Sequence, residues 1–430
     1  MKPIPNQPLI AKDIRVDGTR LVDPNGKQVH FRGINLINKG IKRPDGAWDF
    51  DPTWPDAVWQ RFADLGMNAV RLGIIWAALE PVPGQYDERY INLIKHQLDL
   101  AAQAGMSVML DMHQDLYAQR FSDGAPDWAV LTDAPYEATD LWSDAYLSSP
   151  AVQQAWDAFW ENKEVPQTGR GLQDHYAALW AHLAAAFHDH PALFSYDIMN
   201  EPAPGSQILE MFGLLMHNVA ESLTPEEATH LGLSEPSLES LSAAFSDPES
   251  KLKLLSLLDD PERYRLLGDL SQEPVIHFER TVLEPFYEKI TTAILAHDED
   301  RFILRGNNYI SNIGVPSGIR PITVKGRPDP KQIFAPHGYD LVVDTPAMLH
   351  PSDSRAQSIF RRHRETQLAL NLPAIVTEWG AFDIYDSALN HGRFLLDLFA
   401  SWGWGNTYWC YTENFFEVPV RELLENQKNR

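Results

Sequence analysis

The architecture of this chain is indicated by one segment, Ser195-Tyr196-Asp197-Ile198-Met199-Asn200-Glu201-Pro202. The run from Leu193 to Met199 is mostly apolar, which is typical of a strand buried on both faces of a parallel sheet. The run stops abruptly at an amide, a carboxylate and a proline. Strands of an α/β barrel end in this way at a site, because the reactive side chains of that fold lie at the carboxyl ends of its strands. The segment therefore predicts that Glu201 carries chemistry.

A second segment has the same design, 177 positions after Glu201: Pro373-Ala374-Ile375-Val376-Thr377-Glu378-Trp379-Gly380. It is again an apolar strand with a carboxylate at its end. Two carboxylates at the ends of two barrel strands suggest a general acid and a nucleophile that face one substrate.

Eight apolar runs of this kind alternate with helical patterns along the chain. The predicted strands are 30–35, 68–74, 107–113, 193–201, 301–306, 332–339, 373–380 and 404–410. This alternation predicts the α/β class and a (β/α)₈ TIM barrel, which commonly exceeds 250 residues as one unit. We therefore expect a single barrel domain over residues 1–430, with no separate C-terminal β-sandwich.

The alternation of strands and helices is predicted to be interrupted twice. The segment 114–170 after strand three is interpreted as a long loop rich in aromatic residues, and loops of that length are usually functional. After strand four, residues 206–273 are interpreted as a helical insertion, because Thr224-Pro225-Glu226-Glu227 is a capping box and two Asp-Pro pairs begin further helices. The apolar faces of these helices could be buried against the outer barrel helices, or could form a lid or acyl-chain platform beside the site.

The composition excludes several classes of function. The 430 residues carry a net charge of −23, which repels phosphate backbones, so no nucleic-acid partner is expected. The single cysteine, Cys410, permits neither an internal disulfide nor a cysteine-based metal cluster. No segment is apolar and long enough to span a membrane, and the N-terminus lacks a signal-peptide pattern. A soluble, cytoplasmic protein is expected, or a secreted one if a signal peptide was removed.

The polar residues at the predicted strand ends indicate the type of reaction. The set comprises Asn35, Arg71, His113, Asn200, Glu201, His337, Tyr339, Glu378 and Trp409. Hydrogen-bonding groups around two carboxylates suit a polyhydroxylated sugar. A glycine-rich phosphate loop, a His-Glu-x-x-His helix and a Gly-x-Ser-x-Gly elbow are all missing from the sequence, so the chemistries that depend on them lose support.

In this order the strand-end residues resemble those of clan A glycoside hydrolases, specifically family 5, which share Asn-Glu on strand four and Glu on strand seven. Within that family, the segments 111–117 and 124–129, the Phe159-Trp160 pair and Asn200-Glu201-Pro202 are similar to endoglycoceramidases and related glycosylceramidases. The resemblance implies a retaining β-glycoside hydrolase that cleaves a glycan from a hydrophobic aglycone, most readily ceramide. Its partners would be a glycolipid or another β-glycoside and, transiently, lipid aggregates.

The resemblance also implies roles for individual residues. Glu378 would be the nucleophile and Glu201 the acid/base. The residues expected to bind substrate or steady these carboxylates are Arg71, His113, Gln114, Asp115, Asn200, His337, Tyr339 and Trp409. No metal or organic cofactor is expected, because both proton transfers belong to carboxyl groups.

The sequence alone is also compatible with three other functions. The first is a β-glucosidase that acts on steryl, flavonoid or aryl glucosides. The second is an endo-β-glucanase, which would need a long open cleft with several aromatic platforms. The third is a non-catalytic carbohydrate-binding barrel, which predicts that at least one of the two carboxylates is missing.

Overall fold

The computed structural model describes residues 7–233, 235–382 and 385–425, so the ends of the predicted domain lie outside the described residues. Its central element is a sheet of eight parallel strands. Their bounds are Arg32–Leu36 (β1), Ala69–Ile75 (β2), Ser107–His113 (β3), Leu193–Asp197 (β4), Phe302–Arg305 (β5), Gln332–Phe334 (β6), Ile375–Val376 (β7) and Gly405–Tyr408 (β8).

The strands are hydrogen-bonded in the order β6-β5-β4-β3-β2-β1-β8-β7. Parallel bridges from Phe334 to Ala374 and from His337 to Glu378 join β6 to β7 and close the ring. The predicted (β/α)₈ barrel is confirmed, and each of its strands overlaps a segment predicted from the sequence. The strands are recognisable because most of their side chains are buried on both faces.

Helices surround this barrel. Their bounds are Val58–Asp64 (α1), Trp76–Leu79 (α2), Glu88–Ala104 (α3), Ala145–Ser148 (α4), Pro150–Trp160 (α5), Leu172–Phe187 (α6), Ile208–Ser222 (α7), Pro225–His230 (α8), Leu238–Ser246 (α9), Pro248–Ser256 (α10), Pro261–Leu270 (α11), Gln272–Phe278 (α12), Glu284–Leu295 (α13), Asp353–Leu370 (α14), Leu389–Trp402 (α15) and Val420–Glu425 (α16). A π-helix, Glu279–Leu283, joins α12 to α13. None of the helices in the described ranges is both long and apolar enough to cross a bilayer.

One barrel connection lacks an α-helix. Between β5 and β6 the described chain forms a 3₁₀ helix, Tyr309–Ile313, and a short antiparallel ribbon that pairs Thr323–Val324 with Arg327–Pro328. This connection lies next to the end of β4, where the Tyr309 amide donates to the Pro202 carbonyl. The loop after β5 is therefore placed beside Glu201.

The sequence predicts a long loop over 114–170, but part of this segment is helical. It contains α4 and the eleven-residue helix α5, which begins with Pro150 at its first turn. The aromatic residues of α5 concealed its helical period, because Trp156 and Phe159 pack into the main core while Trp160 is only partly buried. The segment therefore adds helix and core to the barrel rather than a loop alone.

Helices α7 to α11 lie between β4 and the barrel helix α13, in the region where an insertion over 206–273 is predicted; residue 234 lies outside the described residues. These helices have an apolar cluster of their own, separate from the barrel cores: Met216, Val219, Leu231, Leu241, Leu254 and Leu267. Two arginines of α14 hold them on the barrel. Arg355 donates to Asp259, and Arg362 donates to Asp269 and to the Arg265 carbonyl.

Candidate active site

Glu201 and Glu378 meet at the carboxyl ends of β4 and β7. One carboxylate oxygen of each, together with a ring nitrogen of His337, lies within 4.8 Å of the others. Glu201 has a φ of 39°, in the left-handed region that non-glycine residues seldom adopt. The Gln114 side chain holds this backbone, because its amide donates to the carbonyls of Asn200 and Glu201 at 2.8 and 3.1 Å. A strained backbone therefore directs the Glu201 carboxyl into the site.

Both donors to the Glu201 carboxyl point at the same oxygen. Asn312 Nδ2 lies 3.0 Å and His337 Nδ1 2.9 Å from Glu201 Oε1. Burial raises the pKa of Glu201 to about 7, and the negative charge of Asp115 adds to this effect. Glu201 is therefore suited to hold a proton near neutral pH, as a general acid must.

Glu378 lies in the opposite environment, since a cation and a phenol both donate to it. Arg71 Nη1 donates to Oε1 at 2.7 Å and the Tyr339 hydroxyl donates to Oε2 at 2.9 Å. Burial raises the pKa of Tyr339 well above its ordinary value, so this phenol stays a donor. Two donors, one of them charged, therefore hold both oxygens of the Glu378 carboxyl in fixed positions, as attack on a single carbon atom requires.

Arg71 is the centre of the buried charge network. Its guanidinium contacts three carboxylates, because in addition to Glu378 it donates to Asp111 and Asp197, each at 2.8 Å. It also donates to the side-chain oxygens of Asn35 and Asn200. Burial disfavours the charge, but the three carboxylates outweigh burial and raise the pKa of Arg71 above its ordinary value. Arg71 therefore fixes the floor of the site as a permanent cation.

A second charged group forms the wall beside Trp409. The Lys39 ammonium contacts Asp115 and lies 3.5 Å from Asp123 and 4.9 Å from the centre of the Trp409 ring. Burial acts against the Lys39 charge, but the two carboxylates outweigh it and hold its pKa above the usual range. Asp115, Asp123 and His113 bring ligand-type atoms within 4.8 Å of one another, and the ammonium supplies the positive charge there.

His113 and His337 differ in charge because their neighbours differ. Burial lowers the pKa of both, but Asp111, 2.8 Å from His113 Nδ1, reverses this effect and raises the pKa of His113 to about 10. For His337 burial prevails, and its pKa falls to about 4. The His113 ring stacks on Trp409 with ring centres 5.2 Å apart. His113 is therefore a cation on the aromatic wall, and His337 is a neutral donor between the two carboxylates.

A cavity of about 490 Å³ opens from this site. At one end its wall is polar and includes Lys39, His113, Asp115, Glu201, Asn312, Tyr339 and Glu378. At the other end the lining comes from α7, α9, α10, the turn after α10, and α11, and it is largely apolar, although Ser222, Lys251 and Arg263 also contribute to it. It includes Ile208, Phe212, Leu215, Met216, Val219, Phe245, Leu254, Leu255, Leu257, Leu258 and Leu267. One continuous cavity thus joins a charged site to a largely apolar chamber.

The predicted residues do not all lie on this cavity. Those that line it are His113, Asp115, Glu201, Tyr339, Glu378 and Trp409; Arg71, Gln114, Asn200 and His337 support them from behind. The sequence prediction missed Asp111 and Asp197. Their signal was available, because each is a charged residue within an otherwise mostly apolar strand. The prediction also missed Lys39, Asp123 and Asn312, which lie outside the strands, in connections whose sequence pattern gave no such signal.

A protein-family model described as cellulase (glycosyl hydrolase family 5) matches residues 22–224 and 261–415. The unmatched stretch between them holds α8 to α10. The chain is 28% identical over 228 residues to an endoglycoceramidase of Cyanea nozakii, covering 47% of this chain and 44% of that protein. It is 30% identical over 200 residues to endoglycoceramidase I of Rhodococcus hoagii, covering 46% and 39%. The chain thus spans less than half the length of these curated relatives.

Solved structures extend the likeness to nearly the whole chain. Endo-glycoceramidase II from Rhodococcus sp., in a complex with a cellobiose-like imidazole, matches with a TM-score of 0.67 and 25% identity, covering 95% of this chain and 80% of that one. A sterylglucosidase of Cryptococcus neoformans shares the fold, with a TM-score of 0.63 at 15% identity. With the family model matching well over half of the residues, the chain belongs to glycosyl hydrolase family 5.

Proposed function

We propose that this protein is a retaining β-glycoside hydrolase that releases a glycan from a hydrophobic aglycone, with glycosylceramide as the substrate. The observation that carries the proposal is the continuity of the cavity, which leads from the two carboxylates into the apolar chamber. Its volume of about 490 Å³ lies in the usual range for small-molecule sites, about 300–1,000 Å³. The curated relatives named endoglycoceramidase support the choice of ceramide.

The short distance between the two carboxyl groups supports the retaining reaction, because one oxygen of Glu201 lies within 4.8 Å of one oxygen of Glu378. Retaining enzymes place their carboxyl groups about 5–5.5 Å apart, whereas inverting enzymes leave a wider gap for a water molecule. In the proposed reaction Glu378 attacks the anomeric carbon while Glu201 protonates the glycosidic oxygen. Glu201 then deprotonates the water that cleaves the bond from sugar to Glu378, which restores both carboxyl groups. Arg71 and Tyr339 hold Glu378 in place throughout, and the Trp409 face packs against the sugar.

The difference between the two ends of the cavity indicates how the substrate is oriented. Sugar hydroxyls suit the polar end, where Lys39 and Asp115 offer charged donors and acceptors. Alkyl chains suit the other end, where apolar surface leaves water on binding. In this proposal the described chain works as one glycosidase unit whose helices α7 to α11 receive the lipid. Contact with lipid aggregates belongs to the same proposal and is supported by exposed leucines on these helices: Leu209, Leu252, Leu266 and Leu270.

The decisive experiment compares products from a glucosylceramide, a longer glycosylceramide and a cello-oligosaccharide by chromatography. Ceramide with an intact oligosaccharide supports the proposal and shows endo action, whereas ceramide with glucose alone shows exo action. Cleavage of the cello-oligosaccharide with both lipids untouched would overturn the assignment in favour of an endo-β-glucanase. A Glu378→Gly variant treated in parallel controls for contaminating enzymes.

The role of the chamber is tested by two substitutions on α7. Leu215 lines the cavity, while Leu209 is 50% exposed on the same helix. Leu215→Trp should fill the chamber and raise KM for a glycosylceramide about tenfold, as expected for an occluded apolar pocket. Turnover of nitrophenyl β-glucoside should stay within about twofold, and the control Leu209→Trp should leave both substrates unaffected. Equal losses on both substrates in Leu215→Trp would contradict a lipid-binding chamber.

The pH dependence follows from Glu201. Its pKa is raised to about 7, mainly by burial, and the general acid works only while it is protonated. We expect kcat/KM on an alkyl β-glucoside to fall as pH rises through about 7. A nitrophenyl glucoside should show a weaker decline, because nitrophenolate departs without a proton. The check is a pH series with both substrates, and a profile for the alkyl glucoside that stays flat to pH 9 would contradict Glu201 as the acid.

A further inference from the structure

The loop after β5 contributes Asn312 as a hydrogen-bond donor to Glu201. Neither the sequence motifs nor the strand ends identify this residue. Asn312 Nδ2 lies 3.0 Å from Glu201 Oε1. The orientation of this amide is set from the other side, because Asn307 Nδ2 donates to Asn312 Oδ1 at 3.1 Å. With its oxygen occupied, Asn312 presents an N–H group to Glu201.

The second donor, His337, acts on the same oxygen. Its Nδ1 faces Glu201 Oε1 at 2.9 Å and Glu378 Oε2 at 3.5 Å, so this nitrogen carries the hydrogen of the neutral ring. Two N–H groups therefore converge on Oε1 of Glu201. An oxygen that accepts two hydrogen bonds has no room for its own proton, which leaves Oε2 as the protonated oxygen of the acid.

One buried carboxylate fixes the loop that carries Asn312. Glu279 is fully buried and begins the π-helix Glu279–Leu283, a local irregularity that frequently occurs at functional sites. It accepts hydrogen bonds from Asn308 at the start of the loop, at 2.7 and 3.1 Å, and from Ser317 and the Gly318 amide at its end. Both ends of the loop are thus tied to one side chain behind the site.

We infer that Asn312 is a positioning residue for the reaction: it holds Oε1 of Glu201 so that the acid proton lies on Oε2, facing the glycosidic oxygen, and Glu279 sets the position of the Asn312 loop. The inference rests on the proposed function, since it assigns Glu201 the acid role. The Asn312 donor also stabilises the ionised form of Glu201 and so opposes the effect of burial. The charged or titratable groups that face Glu201 are Lys39, Arg71, His113, Asp115, Tyr146, Tyr309, His337, Tyr339 and Glu378.

The test is the pH profile of Asn312→Ala and Asn312→Asp. Loss of the donor in Asn312→Ala should move the basic limb of kcat/KM to higher pH by about one unit. The added carboxylate in Asn312→Asp should move it further. At the pH optimum, Asn312→Ala should lose about tenfold on an alkyl β-glucoside and less than about twofold on a nitrophenyl glucoside, because only the alkoxide needs the acid.

One control and one further variant separate this role from a structural one. Asn92→Ala removes an exposed amide on α3 and should leave the pH profile unchanged. Glu279→Gln should shift the limb in the same direction as Asn312→Ala, with a smaller loss of rate. A basic limb that stays at the wild-type pH in both Asn312 variants would overturn the inference. A wild-type enzyme that cleaves no β-glycoside would instead overturn the proposed function.

Discussion

Replacing Glu378 by glycine is expected to lower kcat/KM on an aryl β-glucoside by about 10⁴-fold or more while the fold is kept. In the proposed reaction, this substitution removes the carboxylate that attacks the anomeric carbon. Glu378 is 4% exposed and lines the cavity, and a glycine offers no side chain that could replace it. Arg71 keeps Asp111 and Asp197 as partners, so its charge stays compensated. Initial rates give the activity, and thermal unfolding gives the fold. Near-normal turnover by a folded variant would exclude Glu378 as the nucleophile.

Azide distinguishes the nucleophile from the acid. In Glu378→Gly, azide can enter the vacated space and attack from the face that Glu378 occupied, which gives an α-glycosyl azide. In Glu201→Ala the sugar still reaches Glu378, and azide attacks from the opposite face to give a β-glycosyl azide. The anomeric configuration of each product can be read by nuclear magnetic resonance. The reverse pairing of variants and anomers would mean that the two roles are exchanged.

The barrel was predictable because its strands are buried on both faces and read as apolar runs. The same rule located Glu201 and Glu378, since each interrupts such a run at its carboxyl end. Asp111 and Asp197 were not predicted as site residues, although they lie in such strands or at their ends. A carboxylate in a predicted strand does not reveal which residue it pairs with. That partner, Arg71, comes from a different strand, and only closure of the barrel brings the three together.

Other parts of the site could not be predicted because they depend on loops. Lys39 follows β1 in a stretch rich in glycine, proline and aspartate, and its partners come from the loop after β3. Glu279 belongs to an amphipathic helical pattern, where a glutamate is usually solvated. The helices after β4 were predictable from their N-terminal capping residues. The cavity that they line was not, because it depends on how Arg355 and Arg362 of α14 hold these helices on the barrel.

Replacing Arg71 by methionine is expected to lower the free energy of unfolding at neutral pH by about 3–5 kcal/mol, the usual cost of removing one partner from a buried ion pair. The cause is the three carboxylates that the guanidinium now compensates, each with at most 6% of its side chain exposed. Even with Arg71 present, burial raises the pKa of Asp197 to about 7. Without the cation the folded state should bind protons still more readily than the unfolded chain. The loss of stability should therefore grow as pH rises from about 4 through 7.

Urea unfolding of Arg71→Met at pH 5 and at pH 7.5 measures this effect. Protonation of the buried carboxyls should recover part of the stability at pH 5, so the difference from wild type should be smaller there. Arg120→Met is the matched control, because Arg120 pairs with Asp127 at 2.8 Å on the surface, where both side chains are exposed. That variant should stay within about 1 kcal/mol of wild type at both pH values. If Arg71→Met behaved like the surface control, the guanidinium would not be what allows three carboxylates to share the barrel interior.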